Sequence, residues 1–393
     1  MGHHFNGKSN IVPLIDRLNQ YPIGLPDSET LRKILSILFS EEEAFVASRF
    51  PLQEASLSEL ARATRMKPDV LSGILEEMAQ KGLVMDLKFK GGAYYLLMPG
   101  LIGFFEFTFM KQRQDLPVEE LAQLMHEYLF EDPDNRMGQE MFASKTPLTR
   151  ALPYEDHIPV ESVVTPYESA REIIKKAGYG AIGMCYCRHK KEHLNKSCDK
   201  NAPTTEICIS LGTAARFMVR RGFAEHRSVE ELLEILARAQ KLNLTHITDN
   251  IRHKPSFICN CCSCCCELLG GVIRGYPAGV AKASYTLEMD ASRCKGCGMC
   301  AKACNVEAIE MIADTSEKKQ LKTSRLDESK CLGCGACITA CKAEALSLKP
   351  QKRETPPERK RELFATILKE KKRYTPFLVQ GVKRKILRSV GLK

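Results

Sequence analysis

Between Ser28 and Ser40 the chain places apolar side chains at Leu31, Ile34, Leu35 and Leu38. That three- and four-residue recurrence predicts a helix with one buried face, and Ser28 stands where its hydroxyl can cap the first turn. Ser56–Met66 and Pro68–Lys81 predict two further short helices joined by a tight turn. After Gly82, the run Leu83–Lys90, the pair Gly91-Gly92 and the run Ala93–Met98 predict a β-hairpin. The apolar character continues to Met110, but Pro99-Gly100 interrupts it and Glu106 charges its second half, so two short elements are expected there and not a membrane span. Pro117–Phe130 predicts an amphipathic helix, and Pro133, Pro147 and Pro153 mark a loop-rich connector.

From about residue 154 the pattern alternates. Val160–Val164, Gly180–Cys185, Ile207–Ser210 and Phe257-Ile258 are strand-like, whereas Tyr167–Lys176 and Ser228–Leu242 carry helical spacing. Alternation of this kind predicts a small α/β domain. Farther on, Tyr285–Met289, Ala308–Ile312 and Leu346–Leu348 supply short strands, with an exposed hairpin expected around Thr315–Thr323. Arg361–Arg373 and Pro376–Leu392 are helical in pattern; in the second, Leu378, Val382, Ile386 and Val390 recur every four residues.

Composition sharpens this outline. At 393 residues the chain exceeds one compact core, and its 44% hydrophobic and 27% charged residues are globular values. The +10 formal charge is concentrated: Lys349–Lys393 holds fifteen Lys and Arg against four Glu, which leaves the rest near −1. Such a tail suits an anionic lipid surface or an acidic partner, or packs on the protein itself with its charged side solvated. No charged-then-apolar leader opens the sequence, so a cytoplasmic protein is expected, peripheral at a membrane if the tail binds lipid.

Eighteen cysteines carry the chemistry. Cys294, Cys297, Cys300 and Cys304 follow the spacing C-x2-C-x2-C-x3-C, and Cys331, Cys334, Cys337 and Cys341 repeat it without deviation. Two-residue gaps wrap a tight loop that turns three thiolates toward one iron-sulfur cubane, and the fourth must come from elsewhere. A structural zinc rarely uses a third cysteine two residues on and a fourth three later, twice over. Gly296, Gly298, Gly333 and Gly335 suit loops that need positive φ and close backbone approach. The spacing therefore points to two [4Fe-4S] clusters and single-electron transfer. Residues 290–348 hold nine basic and eight acidic residues, a balance that fits a fixed wire better than a diffusing shuttle.

These motifs resemble the two-cluster bacterial ferredoxins. That resemblance implies crossed ligation: Cys294, Cys297, Cys300 and Cys341 on one cluster, and Cys331, Cys334, Cys337 and Cys304 on the other. Two departures stand out. Asn305 and Lys342 replace the proline that usually follows the fourth cysteine, and Asn305–Lys330 is longer than in compact members.

The other ten cysteines are Cys185, Cys187, Cys198, Cys208, Cys259, Cys261, Cys262, Cys264, Cys265 and Cys266. The run from Cys259 to Cys266 is too dense to be core packing, so at least one additional [4Fe-4S] cluster is expected among them; a zinc or Cu(I) thiolate site and a redox-active thiol pair compete with it. Arg188, His189, Lys190 and Lys191 could stabilise a reduced cluster or form a solvated turn. With the ferredoxin repeat, these blocks resemble a bacterial multi-cluster 4Fe-4S ferredoxin-like family, which has a cysteine-rich α/β domain ahead of a dicluster ferredoxin and whose members act as electron carriers or reductase subunits. The helix-turn-helix and hairpin over residues 28–98 are similar to a winged helix.

The expectation is thus an α+β multidomain protein: a winged-helix-like domain over 1–114, a connector over 115–153, a cysteine-rich α/β domain over 154–283, a 2[4Fe-4S] ferredoxin domain over 284–348 and a basic amphipathic helical tail over 349–393. Redox proteins are the expected partners, and the N-terminal domain is a candidate dimerisation surface. The would-be recognition helix, Lys67–Gly82, has net charge −1, which counts against DNA. A redox-sensing regulator and a reductase with an open iron-sulfur site remain alternatives; no catalytic residue is identifiable, and no G-x-G-x-x-G follows a strand.

Overall fold

The computed structural model describes residues 9–89, 92–159, 162, 164–313, 322–375 and 378–379. The chain divides into two compact units, one comprising the residues up to Ser144 and from Phe364 onward, the other Lys145–Leu363.

In the first unit the predicted helices form where their caps allow. Ser28 Oγ accepts from Leu31 N at 3.0 Å at the head of Glu29–Leu38, which buries Leu31, Ile34, Leu35 and Leu38. Leu57–Thr64 starts on a reciprocal capping box between Ser56 and Glu59 and stops at Arg65, whose φ of 60° turns the chain into Pro68–Lys81. Strands β1 (Ala55–Ser56), β2 (Val84–Phe89) and β3 (Gly92–Leu97) make an antiparallel sheet in the order β1-β3-β2. The hairpin tip at 90–91 lies outside the described residues. The charge in the following apolar stretch has a local reason: Ile102 sits at φ 50°, and the buried Glu106 carboxylate accepts from Ile102 N at 2.9 Å and Gly103 N at 2.6 Å. Without it those amides would be buried unpaired. Helices Val118–Phe130 and Arg136–Phe142 complete this part.

The first tail helix spans Lys360–Glu370 and buries Leu363, Ile367 and Leu368. Just beyond it, Glu140 accepts from Lys371 Nζ at 2.9 Å and from both terminal nitrogens of Arg373 at 2.7 and 2.9 Å. Two cations of this stretch, Lys371 and Arg373, are therefore paired within their own unit. The second predicted tail helix, Pro376–Leu392, falls largely outside the described residues. No helix among the described residues is long and apolar enough to cross a membrane.

The second unit is built on six strands, β4 (Thr149–Leu152), β5 (Gly180–Gly183), β6 (Cys208–Leu211), β7 (Ala224–Arg227), β8 (Thr245–Asp249) and β9 (Phe257–Cys261), in the order β4-β8-β9-β6-β5-β7. The alternation of strand and helix is there, yet every strand pairing in this sheet is antiparallel. Helix Val229–Lys241, opened by a Ser228–Glu231 capping box, lays Leu232, Ile235 and Leu236 onto Ile182, Ile209 and Ile258. Gly180 lies beneath it, where a Cβ would come within 2.2 Å of Leu232 Cδ1 and force that side chain to shift. Strand β4 occupies part of the stretch that reads as a connector. The strand expected at 160–164 lies mostly outside the described residues.

Strand β8 shows why hydropathy missed it. Thr245, His246 and Thr248 are polar and yet wholly buried. Each finds a local role: His246 Nδ1 pairs with Asn260 Oδ1 at 2.6 Å and Thr248 donates to Phe257 O at 2.6 Å. Burial holds the His246 imidazole down at about 4, the Asn260 bond only partly opposing it, so the ring is neutral at physiological pH. A histidine depressed on folding contributes stability above its unfolded value near 6.5, and that contribution is lost as pH falls toward 4. Wild-type stability relative to His246→Gln is accordingly expected to fall by roughly 2 kcal/mol between pH 7 and pH 5, read from anaerobic urea unfolding of both proteins.

Candidate metal centres

The ferredoxin cysteines sit on two loops framed by two ribbons. Strand β10 (Tyr285–Met289) pairs with β13 (Leu346–Pro350), and β11 (Ile309–Ala313) with β12 (Lys322–Leu326). The expected hairpin around Thr315–Thr323 is thus flanked by paired strands, its tip at 314–321 lying outside the described residues. All four loop glycines, Gly296, Gly298, Gly333 and Gly335, have positive φ. Gly333 is the most constrained, because a Cβ there would lie 2.1 Å from Tyr285 O.

Cys304, Cys331, Cys334 and Cys337 line one pocket, closed by Leu287, Ile309 and Leu348. Burial pushes the Cys334 thiol up to about 11, the charges of Cys304 and Cys331 adding to it. A neutral thiol is favoured there until a cation arrives, which is the behaviour of a metal ligand in a dry pocket. On the other loop, Cys300 feels both Cys294 and Cys341. The structure therefore brings Cys304 to the second loop's cysteines and Cys341 to the first loop's. Among the described residues no three of these eight sulfurs crowd within 4.8 Å of one another, the open spacing that a polynuclear cluster needs.

The remaining ten cysteines separate into two groups. Cys198, Cys262, Cys264 and Cys265 hold all four sulfurs within 4.8 Å of one another. The other six form a chain of neighbouring thiols: Cys208 beside Cys259, then Cys261, Cys266, Cys187 and Cys185. Local structure explains the division of the dense run. Cys259 and Cys261 alternate on strand β9 and so share a face. Cys262, Cys264 and Cys265 fall on the turn that follows, and Cys266 caps helix Glu267–Ile273. Hydrogen bonds from Cys208 and Cys261 bring the Cys259 thiol down to about 5 in spite of burial.

Arg188, His189 and Lys190, which the sequence leaves as cluster-stabilising cations or a solvated turn, are buried on helix Tyr186–His193. Arg188 Nη2 donates to Asn260 O at 3.0 Å and reaches Cys262 Sγ at 3.4 Å, while its Nε and Nη1 are buried with no acceptor. Burial works against its charge, and Cys185 and Cys262 more than offset that. A cation so placed calls for anionic sulfur beside it. Lys190 pairs with buried Glu267, whose other oxygen accepts from Tyr186 Oη at 2.8 Å. Only Glu267's position after Cys266 hinted at this role.

The ferredoxin loops and these groups are bonded together. Asn305, one of the two proline replacements, is buried; its Nδ2 donates to Asn243 O at 2.6 Å and to Thr245 Oγ1 at 3.0 Å, and its Oδ1 lies 3.4 Å from Ser263 N. Thr245 Oγ1 in turn lies 3.6 Å from Cys334 Sγ. Lys200 Nζ donates to Ala303 O at 2.9 Å and Asn243 O at 3.3 Å. Tyr154 N donates to Cys334 O at 2.9 Å, and its ring packs on His246 at 5.0 Å. Proline could supply none of the Asn305 bonds.

Residues 293–345 match the family model of the 4Fe-4S dicluster domain. This domain points to iron-sulfur electron transfer. Its dicluster domain takes two [4Fe-4S] clusters, and the further cysteine groups have the donors for an additional one. No curated protein and no solved structure matches the chain.

Replacing Asn305 by Ala removes the donor to Asn243 O and Thr245 Oγ1 and the acceptor beside Ser263 N. Anaerobic urea unfolding is expected to show a loss of about 1–3 kcal/mol, with the iron content of the dicluster domain unchanged, because no ligand is touched.

Proposed function

We propose that this chain is one subunit of a larger redox complex, passing single electrons between a partner protein, its two ferredoxin clusters and a further cluster on the six-cysteine group. Cys294, Cys297, Cys300 and Cys341 hold the first cubane, Cys331, Cys334, Cys337 and Cys304 the second, and four of the six thiols Cys185, Cys187, Cys208, Cys259, Cys261 and Cys266 the third. Cubanes bound at these positions supply one-electron oxidation and reduction.

The carrying observation is the shared core between the second loop and the six-cysteine group. Cys261 and Cys266 pack with Leu269, Val272, Val306, Ala308 and Leu332, and Cys304 and Cys331 pack on the same cluster of side chains. This core keeps water out of the interval and fixes it. At the opposite end Cys297 is exposed and Met299 presents an apolar side chain to solvent, which suits entry from a docked partner. Arg188 and the Lys190–Glu267 pair hold charge beside the third centre, where an added electron must be balanced.

The N-terminal unit supports a protein-contact role better than DNA reading. In the winged-helix reading, Pro68–Lys81 would be the recognition helix, but Lys81 Nζ is tied to buried Glu43 at 2.8 and 2.9 Å. Asp69, Glu76 and Glu77 then dominate the rest of that helix, a poor match to phosphate. Partner contact, as a dimer or with a redox subunit, is the role that fits.

Iron and acid-labile sulfide measured on anaerobically purified protein are expected at about twelve each per chain, with three reducible centres by EPR. Replacing Cys187, Cys261 and Cys266 together by Ser leaves only three of the six thiols and is expected to remove about four iron and one EPR centre and to leave the ferredoxin signals. A wild-type chain with only about eight iron and eight sulfide refutes the third cluster.

A further inference from the structure

We infer that Cys198, Cys262, Cys264 and Cys265 form a closed tetrathiolate site for a single divalent metal ion of the zinc type, separate from the iron-sulfur chemistry of the same unit. Geometry distinguishes the two uses of thiolate. Four zinc–sulfur bonds of about 2.3 Å at the tetrahedral angle place neighbouring sulfurs about 3.8 Å apart. In a cubane each thiolate caps a different iron, and the sulfurs stand about 6 Å apart. Here Cys198 Sγ lies 3.7 Å from Cys262 and 3.7 Å from Cys264, Cys264 lies 3.5 Å from Cys262 and 3.6 Å from Cys265. These are edges of a one-ion tetrahedron. They are also far longer than the roughly 2.05 Å of a disulfide.

The other cysteines of the same chain provide the contrast. Among the described residues neither ferredoxin quartet nor the six-cysteine group gathers three sulfurs within 4.8 Å of one another, although Cys208 and Cys259 approach pairwise to 3.8 Å. Sequence spacing agrees, because three of the four donors come from the four residues Cys262–Cys265, and adjacent Cys264 and Cys265 converge on one point instead of spreading over separate corners. The surroundings are those of a structural site. Cys262 is fully buried with Ala202, Ile207, Ala239 and Leu244, and the other three cysteines pack against that cluster. Four thiolates around a divalent ion leave a charge of −2, and Arg188 supplies a buried guanidinium 3.4 Å from Cys262 Sγ. All four positions being protein sulfur, no position is left open for a substrate. Such an ion is redox-silent: it pins Cys198 and the 262–265 turn, and through Ser263 the Asn305 contact, in place. The inference stands whether or not the six-cysteine group carries a cluster.

The test uses the full-length chain purified anaerobically, with zinc, iron and sulfide quantified on one sample and zinc-edge X-ray absorption recorded. About one zinc per chain is expected, with four sulfur neighbours at about 2.3 Å and no iron neighbour. The double variant Cys198→Ser/Cys264→Ser is expected to lose the zinc while keeping its sulfide content and ferredoxin EPR signals, which also report that it folds. One extra iron without sulfide, lost in the same variant, overturns the zinc-type assignment, because an iron tetrathiolate is redox-active. Loss of about four iron and four sulfide in that variant overturns the inference, as does a metal content that the variant leaves unchanged. If the variant fails to fold, the wild-type absorption spectrum decides: an iron neighbour, or the absence of tetrathiolate zinc, overturns it.

Discussion

Anionic sulfur must be gathered at close range, and everything else in the second unit answers to that. All eighteen cysteines lie between Cys185 and Cys341, inside one compact unit. Two thiolates about 4 Å apart repel by about 4 kcal/mol at an effective dielectric of 20, so no such assembly holds without cations and hydrogen-bond donors in fixed positions. Metal ions supply most of the compensation when bound. The chain supplies the rest: buried Arg188 beside Cys262, Lys200 near the Cys304 loop, Ala308 N donating to Cys304 Sγ at 3.2 Å, and backbone turned toward sulfur at loops whose glycines take positive φ.

The same constraint is met by the register of the sheet. Antiparallel β8 and β9 set Thr245 opposite Cys261, His246 opposite Asn260 and Ile247 opposite Cys259. Period-two alternation then sends the β9 cysteines to one face and Asn260 to the other. Thr245 reaches the ferredoxin side through Cys334 and Asn305, while Asn260 holds His246 and, by its carbonyl, Arg188. One pair of strands therefore registers two kinds of metal site against each other, with polar side chains that hydropathy alone would have assigned to the surface.

Sequence spacing was enough for the ferredoxin loops, because ligand geometry there is local: two-residue gaps and glycines fix the loop almost without tertiary help. The helices opened by Ser28, Ser56 and Ser228 were legible for a similar reason, each cap and apolar stripe being written within a few residues. The division of the ten remaining cysteines was not legible. It depends on where β9 ends and the next helix begins, and on Cys198 arriving from sixty residues away. The basic run after Cys187 left two readings open for a related reason: charge predicts exposure unless a buried anion is waiting, and sequence does not show where the anion lies. Strand β4 was hidden by its prolines, Pro147 and Pro153, which flank it without entering it.

Asn305 connects these levels. A compact ferredoxin loop ends on proline because the loop needs only rigidity after its fourth cysteine. In this chain the same position must also speak to Asn243, Thr245 and Ser263, and an amide side chain has the donors and the acceptor to reach all three. The substitution that looked like a weakened motif is thus the joint by which a standard electron-carrying loop is built into a larger body. Rigidity lost from the missing ring is restored by three hydrogen bonds, and they anchor the end of the first motif, the segment that carries Cys304 to the second loop's pocket, beside the sulfur-rich sheet.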